Sequence, residues 1–323
     1  MTIINPTHIK EAVALLRAGE LVALPTETVY GLGAHARQPE ALAKIFLAKG
    51  RPFTHPLIVH VADVAQLGEW AREIPQDAAA LAQAFWPGPL TLILKKRPEV
   101  SEILTGGQDT IGLRIPAHPV AQALLQALGD GIAAPSANRF THLSPTTAQA
   151  VRDELGAKVA CVLEGGTCEV GLESTILDLS REEAVILRPG MISAAQLEQV
   201  LGRPVRFSQE GAVRTPGMAA VHYAPETRLS LIAAAEMVPF LNSLKKEERP
   251  LAALVRNRPT VEIEGVDWIL MSQEPRGYAH DLYLTLRMLD QRGYKRIAVE
   301  AVPEDAAWEA IRDRLVKAAG RIG

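Results

Sequence analysis

Residues 49–60, KGRPFTHPLIVH, compress a helix end, a turn and a strand into one short run. The segment before it, 39–49, opens on Pro39, a residue favoured in the first turn of a helix. Pro56–Val61 then reads as an apolar strand, so helix and strand alternate over a short distance, as in an α/β sheet. Between them stand Lys49 and Arg51, two cations two residues apart. Lysine brings a point charge and arginine a planar fork, and both suit phosphate oxygens. A second run, APSAN at 134–138, repeats the spacing with the neutral donors and acceptors Ser136 and Asn138. A cationic pair and a neutral polar pair, each beside apolar strand-like sequence, point to a nucleotide site unlike a P-loop.

Outward from this core, residues 7–18 read as an amphipathic helix with Ile9, Val13 and Leu16 on one stripe. Strands are expected at 20–24, 56–61, 90–96, 111–115, 132–135, 159–163, 174–179 and 184–187, and helices at 39–49, 77–86, 118–128, 146–155 and 194–201. This mixture of hairpin-like and helix-linked strands argues for a mixed sheet. Residues 204–227 change character, being rich in Pro, Gly and small residues, and read as a linker. Beyond it the pattern becomes regular, with strands at 229–232, 251–256, 268–271 and 296–301 and helices at 234–246, 276–292 and 305–319. That order predicts a smaller, mostly parallel α/β domain. The expected boundaries are therefore 1–203, 204–227 and 228–323.

Composition narrows the function classes. The chain has 323 residues, 48% of them hydrophobic and 22% charged, with a net charge of −3. Nothing here marks a general nucleic-acid binder, and any RNA contact has to be local. Cys161 and Cys168 are too few for a disulfide framework or a four-cysteine metal site, and Glu27, Glu164 and Glu173 carry no metal-binding spacing, so no metal ligands are assigned. No signal-peptide pattern and no long apolar run occurs, which predicts a cytoplasmic protein with no membrane association.

The motifs taken together carry a family resemblance. LPTETVYGLG at 24–33, KGRPFTHPLIVH at 49–60, WPGPLTLIL at 86–94, TIGLRIP at 110–116, APSANRFTHLSPT at 134–146, ESTILDL at 173–179, ILRPG at 186–190 and TPGMAAVHYAP at 215–225 occur in that order. In them the chain resembles the threonylcarbamoyl-AMP synthases in their long two-domain form. The resemblance covers roughly residues 5–227 by motif and the rest by position and pattern. It implies a YrdC-like twisted mixed sheet with helices, followed by a Rossmann-like C-terminal domain. It also implies a nucleotidyltransferase reaction in which L-threonine, bicarbonate or CO2 and ATP give threonylcarbamoyl-AMP and pyrophosphate. ATP is then a substrate, with Mg2+ held through its phosphates. A tRNA threonylcarbamoyl transferase complex consumes the product, and a weak direct contact with tRNA is compatible with this role.

Carried over residue by residue, the resemblance puts Arg51, His55, Thr110, Ser136, Ser144 and Arg188 on the ATP side. Asn138 joins them from its place in APSAN, and Lys49 and Arg51 are the expected catalytic cations. Thr28, His60, Arg114, Ala134 and Ser174 fall on the threonine side, where Arg114 suits a carboxylate clamp. Each residue has a plainer reading: Lys49 as a helix-end cation, His60 as a core histidine, Arg114 as half of an ion pair, Ser136 and Asn138 as turn formers, Arg188 as a strand-end charge. Their joint occurrence in order favours the site. Two departures stand out. His55 occupies a position where asparagine is common in the family, and RFTHLSPT at 139–146 replaces a smaller Gly-containing loop, which makes Ser144 less secure than Ser136. Residues 214–225 are expected to act as a cover over the loaded site, with Tyr223 on the nucleotide; the plainer reading packs Tyr223 on the second domain. Competing functions are a YrdC-like module that binds double-stranded RNA or tRNA, and a carbamoyl transferase of hydrogenase maturation, for which the chain lacks the length and the cysteines.

Overall fold

The computed structural model describes residues 2–4, 8–208, 213–217 and 222–320. It divides into two compact units, Met1–Phe140 with Ser144–Met218, and Thr141–Leu143 with Ala219–Gly323.

The first unit is built on one mixed sheet. Its strands are β1 (Thr2–Ile4), β2 (Val22–Leu24), β3 (Gly31–His35), β4 (Ile58–His60), β5 (Leu90–Lys95), β6 (Thr110–Arg114), β7 (Ile132–Ala133), β8 (Cys161–Leu163), β9 (Thr175–Asp178), β10 (Val185–Arg188) and β11 (Arg206–Phe207). Across the sheet they run β1-β8-β2-β3-β7-β4-β6-β5-β9-β10-β11. β4 and β6 pair in parallel, while β7 lies antiparallel to both β3 and β4, and β5 is antiparallel to β6. Successive residues feed opposite cores. Leu21 and Ala23 join one buried cluster with Tyr30, Phe46 and Trp70, whereas Val22 and Leu24 join another with Leu124 and Leu125. The same alternation splits Val162 from Cys161 and Leu163. Both faces are covered, so these strands show as continuous apolar runs rather than alternating ones.

The helix Pro39–Lys49 has the expected limits. Gly50 closes it at φ 62°, in the left-handed region that glycine enters at little cost, and the chain turns at once toward β4. Three strands, β1, β3 and β11, were not foreseen. β3 carries two glycines, normally a weak strand signal. A Cβ at Gly33 would stand 2.9 Å from Val22 O, so the close approach of β2 demands the bare backbone. The expected helix at 7–18 is Ile9–Arg17, and residue 7 lies outside the described residues.

The second unit has four strands, β12 (Leu229–Ile232), β13 (Leu251–Val255), β14 (Val266–Leu270) and β15 (Arg296–Glu300), in the order β12-β15-β13-β14 and all parallel. Helix Glu309–Ala319 packs against β12 and against helix Pro275–Asp290, and both bury an apolar stripe. The expected helix at 234–246 contracts to Met237–Ser243 between two 3-10 turns. The segment read as a single linker is shared out. Residues 204–208 and 213–217 belong to the first unit and 222–227 to the second, and 209–212 and 218–221 lie outside the described residues. Thr141–Leu143 also belong to the second unit, where Thr141 O accepts from Ala224 N at 3.0 Å and Leu143 O from Arg287 Nη2 at 2.8 Å.

Candidate active site

The site grows from the end of the helix Pro39–Lys49. Lys49 is 3% exposed, and its Nζ donates to Ser136 O and Asn138 O, each at 2.5 Å. The backbone of APSAN is thus the seat of the lysine. That seat is fixed in turn: Leu32 N donates to Pro135 O, and Ala137 N to Tyr30 O. Burial, then the charge of Arg51, holds the Lys49 ammonium well below its ordinary pKa. One of its three N–H donors remains for an anion, which would favour the charged form. Arg51 is also buried and donates from Nη2 to Pro56 O at 2.9 Å, bracing the turn that carries His55. Burial, then Arg51 and Arg214, lowers the His55 pKa, so its imidazole is neutral near pH 7.

Ser174 is the next node. Its hydroxyl lies 2.8 Å from Thr91 Oγ1 and accepts from Arg188 Nη2 at 3.1 Å, while its carbonyl accepts from Arg188 Nε at 3.0 Å. Ser144 donates to Glu173 Oε1 at 2.5 Å, and Glu173 is close enough to act on the charge of Lys49. Lys49, Arg51 and Arg188 are therefore three buried cations on one connected set of loops and strand ends. Burying cations costs several kcal/mol each unless charge or hydrogen bonds compensate, so this set favours a polyanionic ligand.

A second group of buried polar side chains sits on β4, β6 and the loop after β2. β4 and β6 run parallel with His60 opposite Arg114, and β7 places Ile132 on the other side of His60. Among the described residues neither ring nitrogen of His60 has a hydrogen-bond partner within 3.5 Å. Burial first, then Arg114, pushes its pKa down to about 3, with the Ile132 backbone pulling weakly the other way. Buried, neutral and unsatisfied, His60 is a ready partner for a small polar ligand. Arg114 donates from Nη2 to Glu27 Oε1 at 2.5 Å and from Nε to Gly88 O at 3.2 Å. Glu27 Oε2 accepts from Ala117 N at 2.9 Å. Ala134 is pinned to the same strand by its N–H to Ile58 O at 3.0 Å. Thr28 pairs with Thr26, hydroxyl to hydroxyl, at 2.8 Å. Thr110 opens β6, four residues from Arg114.

Most sequence-derived candidates thus fall in the first unit on a few linked segments. Tyr223 does not. It lies in the second unit, 1% exposed, with its ring stacked on Tyr283 at 6.0 Å and the Arg314 guanidinium 4.9 Å over it. Its φ of 59° is unusual for a side chain of this size and persists because the packing fixes it. Ring burial and the cation over its face hold Tyr223 in place here, and its assignment to the nucleotide stands as a proposal. Sequence reasoning missed Thr91, a lone hydroxyl in an apolar strand, and the Glu27 partnership, which only the sheet register reveals. Cys161 and Cys168 are buried, and burial raises both thiols, Cys161 to about 12, consistent with packing roles.

Comparison with known proteins shows the family. The Sua5/YciO/YrdC family, described as "Telomere recombination", matches residues 14–190, and the family "Threonylcarbamoyl-AMP synthase, C-terminal domain" matches residues 192–320. A threonylcarbamoyl-AMP synthase of Pyrococcus abyssi is 38% identical over 98% of this chain and 95% of its own length. One of Bacillus subtilis is 38% identical over 98% and 94%. The crystal structure of P. abyssi Sua5 complexed with L-threonine superposes with a TM-score of 0.91 at 36% identity, covering 99% of this chain and 98% of the other. The chain belongs to the threonylcarbamoyl-AMP synthase family, in the form that carries both the YrdC-like unit and the C-terminal domain.

Proposed function

We propose that the protein is an L-threonylcarbamoyladenylate synthase, a nucleotidyltransferase that makes threonylcarbamoyl-AMP and pyrophosphate from L-threonine, bicarbonate or CO2 and ATP. The observation that carries this reading is the pairing of two unlike groups of buried polar side chains in one unit. Lys49, Arg51 and Arg188 are buried cations suited to a triphosphate, and the adjacent His60–Arg114–Glu27 group is suited to a small amino acid.

The chemistry asks little more of the chain. The threonine amine adds to CO2 with loss of a proton, giving a carbamate. A carbamate oxygen then attacks the α-phosphorus, and the bond to the bridging oxygen breaks with its electron pair leaving on pyrophosphate. Charge grows on the phosphate oxygens and on the leaving group, where fixed cations lower the barrier. MgATP is the substrate form, its metal held through the phosphates. Arg114 keeps the Glu27 contact and still has donors for the threonine carboxylate. His60 and Thr28 are assigned to reading the hydroxyl that distinguishes threonine from smaller amino acids. The product is a mixed anhydride, to be consumed by a transferase acting on tRNA.

Incubation with ATP, bicarbonate and a panel of amino acids tests this directly. Pyrophosphate release that depends on both threonine and bicarbonate is expected. Release that is indifferent to the amino acid, or salt-sensitive RNA binding without any release, would overturn the reading.

A further inference from the structure

Residues 213–217 belong by sequence to the C-terminal family match, 192–320, yet they dock on the first unit. The side-chain amide of Gln108 clasps the Arg214 backbone in both directions: Oε1 accepts from Arg214 N at 2.8 Å, and Nε2 donates to Arg214 O at 3.0 Å. Val213 packs against Ile58, Ile93, Ile176 and Leu187. Pro216 O accepts from Arg188 Nη1 at 3.4 Å, which ties the segment to a cation of the nucleotide side.

The side chain of Arg214 is placed more pointedly. Its Nη2 donates to Gly106 O at 2.8 Å. Gly106 abuts the turn that carries His55, since a Cβ there would lie 2.4 Å from Thr54 O and 3.3 Å from Pro56 N. Arg51 reaches the same turn through Pro56 O at 2.9 Å. Arg51 and Arg214 therefore flank one short turn, and the charge of each is felt by His55. Holding the segment in place does not require this cation, because the Gln108 clasp engages backbone atoms alone. Setting another cation near Arg51 is repulsive in itself and becomes favourable only when an anion sits between them. Arg214 is exposed, and the Gly106 bond leaves most of its five N–H donors for a ligand.

We propose that Arg214 is a further catalytic residue, a cation that contacts the terminal phosphates of ATP and stabilises the departing pyrophosphate. The segment that precedes the C-terminal unit thereby completes the active site of the first. This inference rests on the synthase reading.

The test uses the full-length chain. Arg214→Ala should raise the KM for ATP roughly 10-fold and weaken product inhibition by pyrophosphate to a similar extent, as expected for a lost charge-assisted contact. The KM for threonine should stay within about twofold, by the same account of a contact made to phosphate alone. Arg214→Lys should recover part of the loss, because it restores the charge without the fork. Gln108→Ala, which loosens the backbone clasp and leaves the guanidinium intact, should shift ATP in the same direction by less. Wild-type ATP dependence and pyrophosphate inhibition in Arg214→Ala would overturn the proposal, and so would a parallel rise in both KM values. Should the wild-type chain release no threonine-dependent pyrophosphate, the synthase reading fails by itself. Equilibrium binding of pyrophosphate to wild type and Arg214→Ala then decides the role of Arg214 separately, and equal affinities reject it.

Discussion

Arg114 is both an ion-pair partner and a candidate clamp, and at the scale of one residue these roles are hard to separate. Glu27 takes one edge of the guanidinium at 2.5 Å and Gly88 O takes Nε, so the fork is already oriented before any substrate arrives. Arg114→Ala should therefore raise the KM for threonine by at least about 10-fold with little change for ATP, because a charge-assisted pair is worth about 1.5–3 kcal/mol. Arg114→Lys should rescue only part of this. A parallel loss for both substrates, measured by steady-state kinetics, would reduce Arg114 to a structural ion pair. His60 gives a pH test. Its folded pKa is about 3, against about 6.5 when the chain unfolds. Between those values the unfolded state binds a proton that the native state refuses, so stability falls as pH drops from about 6.5 toward 3 and is regained as pH rises. His60→Gln should remove that part of the slope in urea-unfolding free energies measured from pH 7 to 4. An unchanged slope would mean that His60 gains a proton partner in the folded chain. The sequence made His60 and Arg114 visible as polar residues in apolar strands. It could not show their adjacency, which depends on β4 and β6 pairing in parallel across a long intervening stretch.

At the scale of elements, local signals carried most of the reading. Pro39 before an apolar stripe gave the helix that delivers Lys49, and apolar runs gave β5 and β6. β3 was hidden because its glycines serve a neighbour's backbone rather than its own propensity. The Lys49 seat was equally hidden. Ser136 and Asn138 looked like side-chain ligands, yet the lysine uses their carbonyls, which every residue possesses. Gly190 follows the same logic of close approach. A Cβ there would stand 2.3 Å from Thr175 N and 2.7 Å from Ser174 C. These are backbone atoms of the segment that Arg188 and Thr91 grip, and they cannot yield as a flexible side chain would. Gly190→Ala should cost about 1–3 kcal/mol in urea unfolding, in the range of overpacked positions, and should weaken both substrates together by displacing Ser174. A stable variant with normal kinetics would show that the Ser174 node tolerates movement.

At the scale of the whole molecule the question is what the first unit can do without the second. Among the described residues, the buried clusters of the first unit are drawn from residues 9–205 and from Val213, and the cluster around Leu241, Leu251 and Ala298 shares no residue with them, so a chain ended at residue 208 should fold cooperatively. Adding residues 209–217 restores Val213, Arg214 and the bond to Pro216. Ordering the five residues 213–217 costs about 5–10 kcal/mol of backbone entropy, at about 1–2 kcal/mol each. Partial burial of Val213 returns about 1 kcal/mol, below the range of about 1.5–3 kcal/mol for a fully buried side chain, and the four hydrogen bonds of the segment return about 2–6 kcal/mol together. The two sides nearly cancel, so on its own the segment should be docked only part of the time. In the full chain its far end leads within a few residues to His222 and Tyr223, which are buried in the second unit, and this tether shortens the search for the docked state. Three chains, ending at 208, at 217 and at 323, should therefore show a graded KM for ATP: highest at 208, intermediate at 217 and lowest in the full chain, with near-constant KM for threonine. Retention of threonylcarbamoyl-AMP against hydrolysis should follow the same order if the segment also excludes water from the anhydride. A chain ended at 208 that matches the full chain in ATP dependence and product yield would strip both the segment and the second unit of any part in catalysis.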